Sequence, residues 1–574
     1  HRCTMNDTFR TLDPAKKYTA YPQIKLENRQ WPNNVLTQPP IWLSTDLRDG
    51  NQALIDPMDI DKKLKLWDLL VSLGYKEIEI GFPSASQIEF DFVRKLIDGG
   101  RIPKGVAIQA LMQGRTDLIN RTAEAMAGAE IAIMHVYNAT SPLFREVVFQ
   151  KNRQQTIDLA LKAIDDIKAA IAQYPQTKWV LEYSPETFSM TEADFAVEIC
   201  TAVMERWGAS PSNKLIFNLP ATIEVSTPNV YADQVEYFHK NIPNRDSVII
   251  SLHPHNDRGT GTACAELGML AGADRVEGCL FGNGERTGNV CLANLAVNMW
   301  SQGIHPGIDF SNIMEVVQIV EECTQLPVSP RHPWAGELVF TAFSGSHQDA
   351  IKKGLTRQKE RQMAAGGETV KWEVPYLPID PADLGRGYDA VIRVNAQSGK
   401  GGMAYLLERD YGLELPRLLQ VEVARAVQVL ADETGKELTS EQIYDVFNQT
   451  FVTPEGKVRY VKHKIEHEDG VETVTATIQV NGEEKVITGT GNGPLSAFAS
   501  ALNQAVGTKF SVTQYSQHDI HPEVGDTAQE AVCYVQVAHA DQAPTYGVGL
   551  HSNIVTASFL AFVAAMNRNG ALKD

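Results

Sequence analysis

Three side chains in this 574-residue chain have the types and spacing of a divalent-cation site. His253 and His255 stand two apart in Leu252-His253-Pro254-His255-Asn256-Asp257, so on an extended strand both imidazoles project to the same side. Asp49, in Leu47-Arg48-Asp49-Gly50-Asn51-Gln52, supplies a carboxylate. Two imidazoles and one carboxylate leave positions open for water and substrate, which suits a Lewis-acid catalyst better than a closed structural site. Asn289, at the end of Gly284-Glu285-Arg286-Thr287-Gly288-Asn289, offers an amide oxygen as a fourth donor. A His-X-His pair alone is simply two strand-end histidines. The metal reading therefore requires a fold that brings Asp49 and Asn289 to neighbouring strand ends.

The elements have that rhythm. Short apolar runs at 41–45, 77–82, 106–112, 131–137, 179–183, 215–219, 248–252 and 276–281 are each followed by a helical pattern. In the first helix Asp56 is the expected N-cap and Pro57 the first helical residue; Ile60, Leu64, Trp67 and Val71 share a face, and Gly74 ends it. Eight strand–helix units over about 260 residues predict a (β/α)8 TIM barrel at 41–329, preceded by an arm at 1–40. A doubly wound open sheet alternates in the same way, but the polar clusters follow strand ends and no dinucleotide fingerprint is present. In a barrel the C-terminal strand ends form one mouth, where the four donors meet.

Composition narrows the class. The net charge of −18 argues against a basic nucleic-acid surface. No apolar stretch of about 20 residues reads as a membrane span. Seven scattered cysteines, none in a CxxC, fit neither a disulfide framework nor a thiolate zinc site. A cytoplasmic enzyme is expected, with His1–Thr4 ahead of Met5 set aside as an added remnant.

Residues 330–430 break the rhythm and read as small helical subdomains that contribute to the active site, around a Pro- and Gly-rich loop from Glu373 to Gly402. Within 431–574 the period becomes two. Strands near Val458, Val474 and Val486 with a helix at 495–505 recur as strands near Phe510, Ala531 and Gly547 with a helix at 554–566, a duplicated βββα unit of about 60 residues. This α+β domain carries no acid–base cluster and reads as regulatory.

Taken together, LRDGNQ, SPETFS, LPATIE, HPHND, GNGERTGN and FSGSHQDAI resemble the metal-dependent barrel enzymes that condense acetyl-CoA with a 2-oxo acid. With YLPIDP, the stretch from Val394 to Gly402 and the duplicated tail, the chain is most similar to the long form of the isopropylmalate synthase branch. The resemblance implies condensation of acetyl-CoA with 3-methyl-2-oxobutanoate, then thioester hydrolysis. It implies a divalent ion (Mg2+, Mn2+ or Zn2+), a monovalent activator such as K+, a homodimer, and feedback by leucine. Citramalate and homocitrate synthases, and acyl-CoA lyases, are the related alternatives.

The implied chemistry needs three groups. Asp49, His253, His255 and Asn289 hold the cation that chelates the oxo acid. Arg48, always protonated, stabilises oxygen charge. Glu186 and His347 form the implied acid–base pair, with the proton acceptor between them left open, and Tyr376 assists. Thr222, Ser184 and His135 are candidate contacts to the substrate, while Glu182 is expected to pair within the barrel. The wall for an isopropyl group is not named by the sequence. Gly489-Thr490-Gly491-Asn492-Gly493-Pro494 fails the dinucleotide pattern; Gly491, Gly493 and Pro494 are read instead as a helix-entry turn that holds the leucine carboxylate.

Overall fold

A computed structural model describes residues 11–342, 345–387, 400–435, 438–520 and 530–573. The motif residues Val394 to Gly399, Phe343 and Ser344, the cysteine Cys3 and the segment His1–Thr4 lie outside them. The chain divides into two compact units, His1–Val339 with Pro381–Arg386, and Phe340–Asp380 with Gly387–Asp574.

The first unit is a closed barrel of parallel strands: β1 (Ile41–Ser44), β2 (Glu77–Glu79), β3 (Ala107–Gln113), β4 (Ile131–Ala139), β5 (Lys178–Glu186), β6 (Leu215–Ala221), β7 (Val248–Pro254) and β8 (Arg275–Gly278). β8 closes onto β1 with Ile41 beside Arg275 and Leu43 beside Glu277. All eight strands stand where the apolar runs place them. The helix after β1 begins later than expected: it spans Ile60–Leu73, capped by the Asp59 carboxylate accepting from the Lys62 N–H, so Asp56 is not the cap and Pro57 lies outside it. Gly74 ends it in the left-handed region at φ 99°, where a side chain is strained. Its buried face is Leu66, Trp67, Leu69, Leu70 and Leu73, with Lys63 buried on an ion pair to Glu89 at 2.5 Å.

In the second unit, helices Gly345–Ala364, Lys400–Tyr411, Arg417–Thr434 and Ser440–Phe447 precede two antiparallel three-stranded sheets. One is ordered β11 (Glu483–Gly491), β10 (Val471–Val480), β9 (Val458–Glu468); the other is β12 (Ser511–Asp519), β13 (Ala531–His539), β14 (Gln542–His551). Helices Pro494–Val506 and Ile554–Arg568 complete the two βββα halves, which share one apolar core where Phe498 stacks on Phe559 at 4.1 Å. Close approach of helix to strand explains the glycine pairs. A Cβ at Gly489 or Gly491 would strike the Ala497 backbone, and one at Gly549 the Ala557 carbonyl. No helix among the described residues is long and apolar enough to cross a membrane.

Candidate active site

Side chains alternate along a strand, and one parity of the barrel strands carries Glu77 and Glu79; Gln109 and Leu111; His135 and Tyr137; Glu182, Ser184 and Glu186; Asn218 and Pro220; Ser251 and His253; Arg275 and Glu277. Their upper members line a cavity of about 200 Å³ at the C-terminal mouth with Arg48, Asp49, Phe82, Thr222, His255, Glu285 and Arg286.

The cation donors converge there. Asp49, His253 and His255 each offer an atom within 4.8 Å of the others. His253 Nε2 lies 3.0 Å from Asp49 Oδ2 and 2.9 Å from Asn289 Oδ1. His255 Nε2 is 4.0 Å from Asp49 Oδ2, and a backbone bridge pairs His255 with Asn289. Asn289 Nδ2 donates to the Asn283 carbonyl at 2.9 Å, which turns Oδ1 toward the site. One imidazole proton serves two oxygen acceptors poorly, whereas a cation satisfies both together with the second imidazole. The donor set fits a divalent ion.

Electrostatics point the same way. Burial works against charge on Asp49, but Arg48 and the His253 hydrogen bond outweigh it and hold the carboxyl below its usual range. Burial also opposes charge on His253, yet hydrogen bonds to Asp49 and Glu277 push its pKa up to about 10. Burial and repulsion from His253 bring His255 down to about 4. The two carboxylates that face His253 favour a proton on its ring, and metal binding displaces such a proton.

Arg48 is clamped by Glu79 Oε1 at 2.5 Å and lies 3.6 Å from Asp49 Oδ1, so it is an ion-pair partner that also faces the cavity. Glu79 Oε2 takes His135 Nδ1 at 2.8 Å, and His135 Nε2 meets Ser184 Oγ at 2.6 Å. Thr222 Oγ1 accepts from the Thr187 N–H at 3.0 Å, which leaves the hydroxyl proton for a ligand. Burial raises the Glu186 carboxyl while Arg48 pulls it down.

Glu79, His135 and Glu182 form a second cluster with metal-ligand atoms. It is already neutralised from within: Arg48 holds Glu79, and Arg275 Nη1 holds Glu182 at 3.0 Å. Burial and the neighbouring Glu277 raise the Glu182 carboxyl well above its usual range, while Arg275 pulls it down. This cluster is a charge-balanced network, with no call for a cation.

His347 and Tyr376 belong to the second unit, where their rings stack at 4.1 Å. Gly493 is the extended residue before Pro494 with open space at its Cβ position, whereas Gly491 packs on the following helix. Sequence reasoning passed over Glu79, Gln109, Ser251, Arg275 and Glu277. They look like interruptions of apolar runs, yet their spacing of two within barrel strands is the signal that identifies them.

The HMGL-like family matches residues 39–320, the family described as alpha-isopropylmalate synthase, post-catalytic domain-like matches 337–408, and the LeuA allosteric (dimerisation) domain matches 437–569. A 2-isopropylmalate synthase of Paraburkholderia xenovorans (strain LB400) is 53% identical over 557 residues, covering 97% of this chain and 95% of the relative. One from Pseudomonas syringae pv. syringae (strain B728a) is 53% identical over 557 residues, covering 97% and 98%. One from Ralstonia pickettii (strain 12J) is 51% identical over 559 residues, covering 97% and 96%.

Proposed function

The chain belongs to the 2-isopropylmalate synthase family, and from that footing we propose how its residues carry out the reaction. The activity is condensation of acetyl-CoA with 3-methyl-2-oxobutanoate and hydrolysis of the thioester, giving 2-isopropylmalate and CoA, the first committed step of leucine biosynthesis. The observation that carries the site assignment is the convergence of Asp49, His253, His255 and Asn289 at one end of the closed barrel.

Those four residues hold a divalent ion, Mg2+, Mn2+ or Zn2+. When bound, it supplies Lewis-acid polarisation of the keto carbonyl. Arg48, fixed by Glu79, presents a permanent positive charge to the oxygens on which charge develops. Glu186 lines the same cavity, and partial burial gives its carboxyl the basicity to accept the thioester methyl proton. Thr222 and Ser184 hydroxyls, with His135 behind Ser184, bind the oxo-acid carboxylate. Phe82, Leu111, Tyr137 and Pro220 supply the apolar wall that an isopropyl group requires. His347 and Tyr376 are assigned to proton transfer during hydrolysis on the FSGSH and VPYLP motifs that carry them. A homodimer is the working form, K+ is a candidate activator, and residues 431–574 bind leucine at the Gly493–Pro494 helix entry.

Thiol release from acetyl-CoA with a panel of 2-oxo acids tests the reading. Release led by 3-methyl-2-oxobutanoate is expected. Preference for pyruvate or 2-oxoglutarate, or cleavage of a hydroxyacyl-CoA without condensation, contradicts it.

A further inference from the structure

Below the cation donors the barrel interior is ionic where bulky aliphatic side chains usually pack. Arg275, fully buried on β8, donates to groups on four other strands and to its own neighbour two residues on. Its Nε reaches Glu77 at 2.8 Å and Nη2 reaches Gln109 at 2.7 Å, while Nη1 reaches Glu182 at 3.0 Å, Ser251 at 3.0 Å and Glu277 at 2.7 Å. Replacing buried ion pairs by apolar residues of similar size often leaves stability unchanged or higher. Stability is therefore weak grounds for such a network, and its geometry supplies another.

Glu277 divides its two oxygens. Oε2 is held by Arg275 and by the Ser251 hydroxyl at 3.1 Å, and Oε1 meets His253 Nδ1 at 2.9 Å. A carboxylate on Nδ1 keeps that nitrogen protonated and directs the Nε2 lone pair toward Asp49 and Asn289. His255 has no such support: its buried Nδ1 has no hydrogen-bond partner. The two imidazoles of the pair are thus unequal, one anchored from beneath and the other not.

We propose that Glu277, fixed in place by Arg275 and Ser251, is the positioning residue that sets the tautomer and aim of His253 for cation binding. The inference rests on the cation-site reading given above and adds which ligand is preorganised and by what. Outer carboxylates of this kind alter metal affinity by about 10–100-fold.

The test is Mn2+ titration of the metal-stripped full chain, followed by electron paramagnetic resonance, beside thermal unfolding and turnover as a function of Mn2+. Glu277→Gln should stay folded, bind Mn2+ about 10–100-fold more weakly, and recover most of its turnover when Mn2+ is raised. Recovery by metal separates positioning from a general packing defect. His253→Ala should lose binding with no recovery. Should Glu277→Gln fail to fold, Ser251→Ala removes one of the Glu277 anchors without changing charge, and a several-fold weaker Mn2+ affinity is expected. Unchanged Mn2+ affinity in a folded Glu277→Gln, or in Ser251→Ala where the first does not fold, overturns the inference while His253→Ala still reports the site. Unchanged affinity in His253→Ala overturns the site reading itself.

Discussion

Asp46 shows how strongly one buried carboxyl depends on its surroundings. Burial pushes its pKa up to about 6, against hydrogen bonds from the Ser44 hydroxyl at 2.5 Å and the Leu280 N–H at 2.8 Å. A carboxyl raised above its ordinary 3.8 gives stability that is complete below that value and is lost as pH rises through about 6. The loss is on the order of 3 kcal/mol. Asp46→Asn abolishes the titration, so the melting temperature of the variant relative to the parent should climb between pH 4.5 and 7.5; a constant difference would contradict the assignment. At Glu186 the expected result is kinetic. Glu186→Gln should lower kcat by about 10²–10⁴-fold with little change in KM for the oxo acid, and a kcat within tenfold of the parent removes Glu186 from the base role. Residues of this kind were legible unevenly. Asp49, His253 and His255 stood out because an imidazole pair two apart and a carboxylate follow strands that a barrel brings to one mouth, whereas Glu277 and Arg275 resembled flaws in an apolar run and acquired meaning only once the barrel fixed which way each points.

Elements were easier to read than their ends. Eight apolar runs gave eight strands, because a parallel strand covered on its outer face must be apolar on that parity. The helix Ile60–Leu73 started later than Asp56-Pro57 suggested, since Asp59 bonds the Lys62 N–H and a capping hydrogen bond decides between two acidic candidates. Of the tail glycines expected at the helix entry, Gly493 stands there as the N-cap, whereas Gly491 ends β11 and packs against the following helix. Gly549→Ala places a methyl against the Ala557 carbonyl and should cost about 1–3 kcal/mol by urea unfolding. Gly493→Ala, with open space and extended backbone, should leave stability within about 0.5 kcal/mol. Equal stability for the two variants would refute the close-packing account. Gly491→Ala mixes packing damage with any effect on leucine, so Gly493 is the cleaner probe.

For the whole molecule, the proposed control by leucine requires that its binding to the duplicated βββα unit be coupled energetically to catalysis in the barrel. Such couplings are typically about 1–3 kcal/mol, and leucine at 100 times its Kd should stabilise the protein by about 2.7 kcal/mol. Gly493→Ala should raise the leucine concentration that halves the rate, measured as the ratio of inhibited to uninhibited rates in one preparation; an unmoved midpoint places leucine elsewhere. The two-part organisation was visible in the change of period from strand–helix to alternating, but how the parts communicate leaves no local pattern in a sequence. The assignment that everything else rests on is the cation at the barrel mouth, and anomalous scattering from crystals grown with Mn2+ addresses it directly. A single strong peak is expected about 2.2 Å from Asp49, His253 and His255 side-chain donors. A peak among Glu79, His135 and Glu182, or none at the mouth, would contradict it.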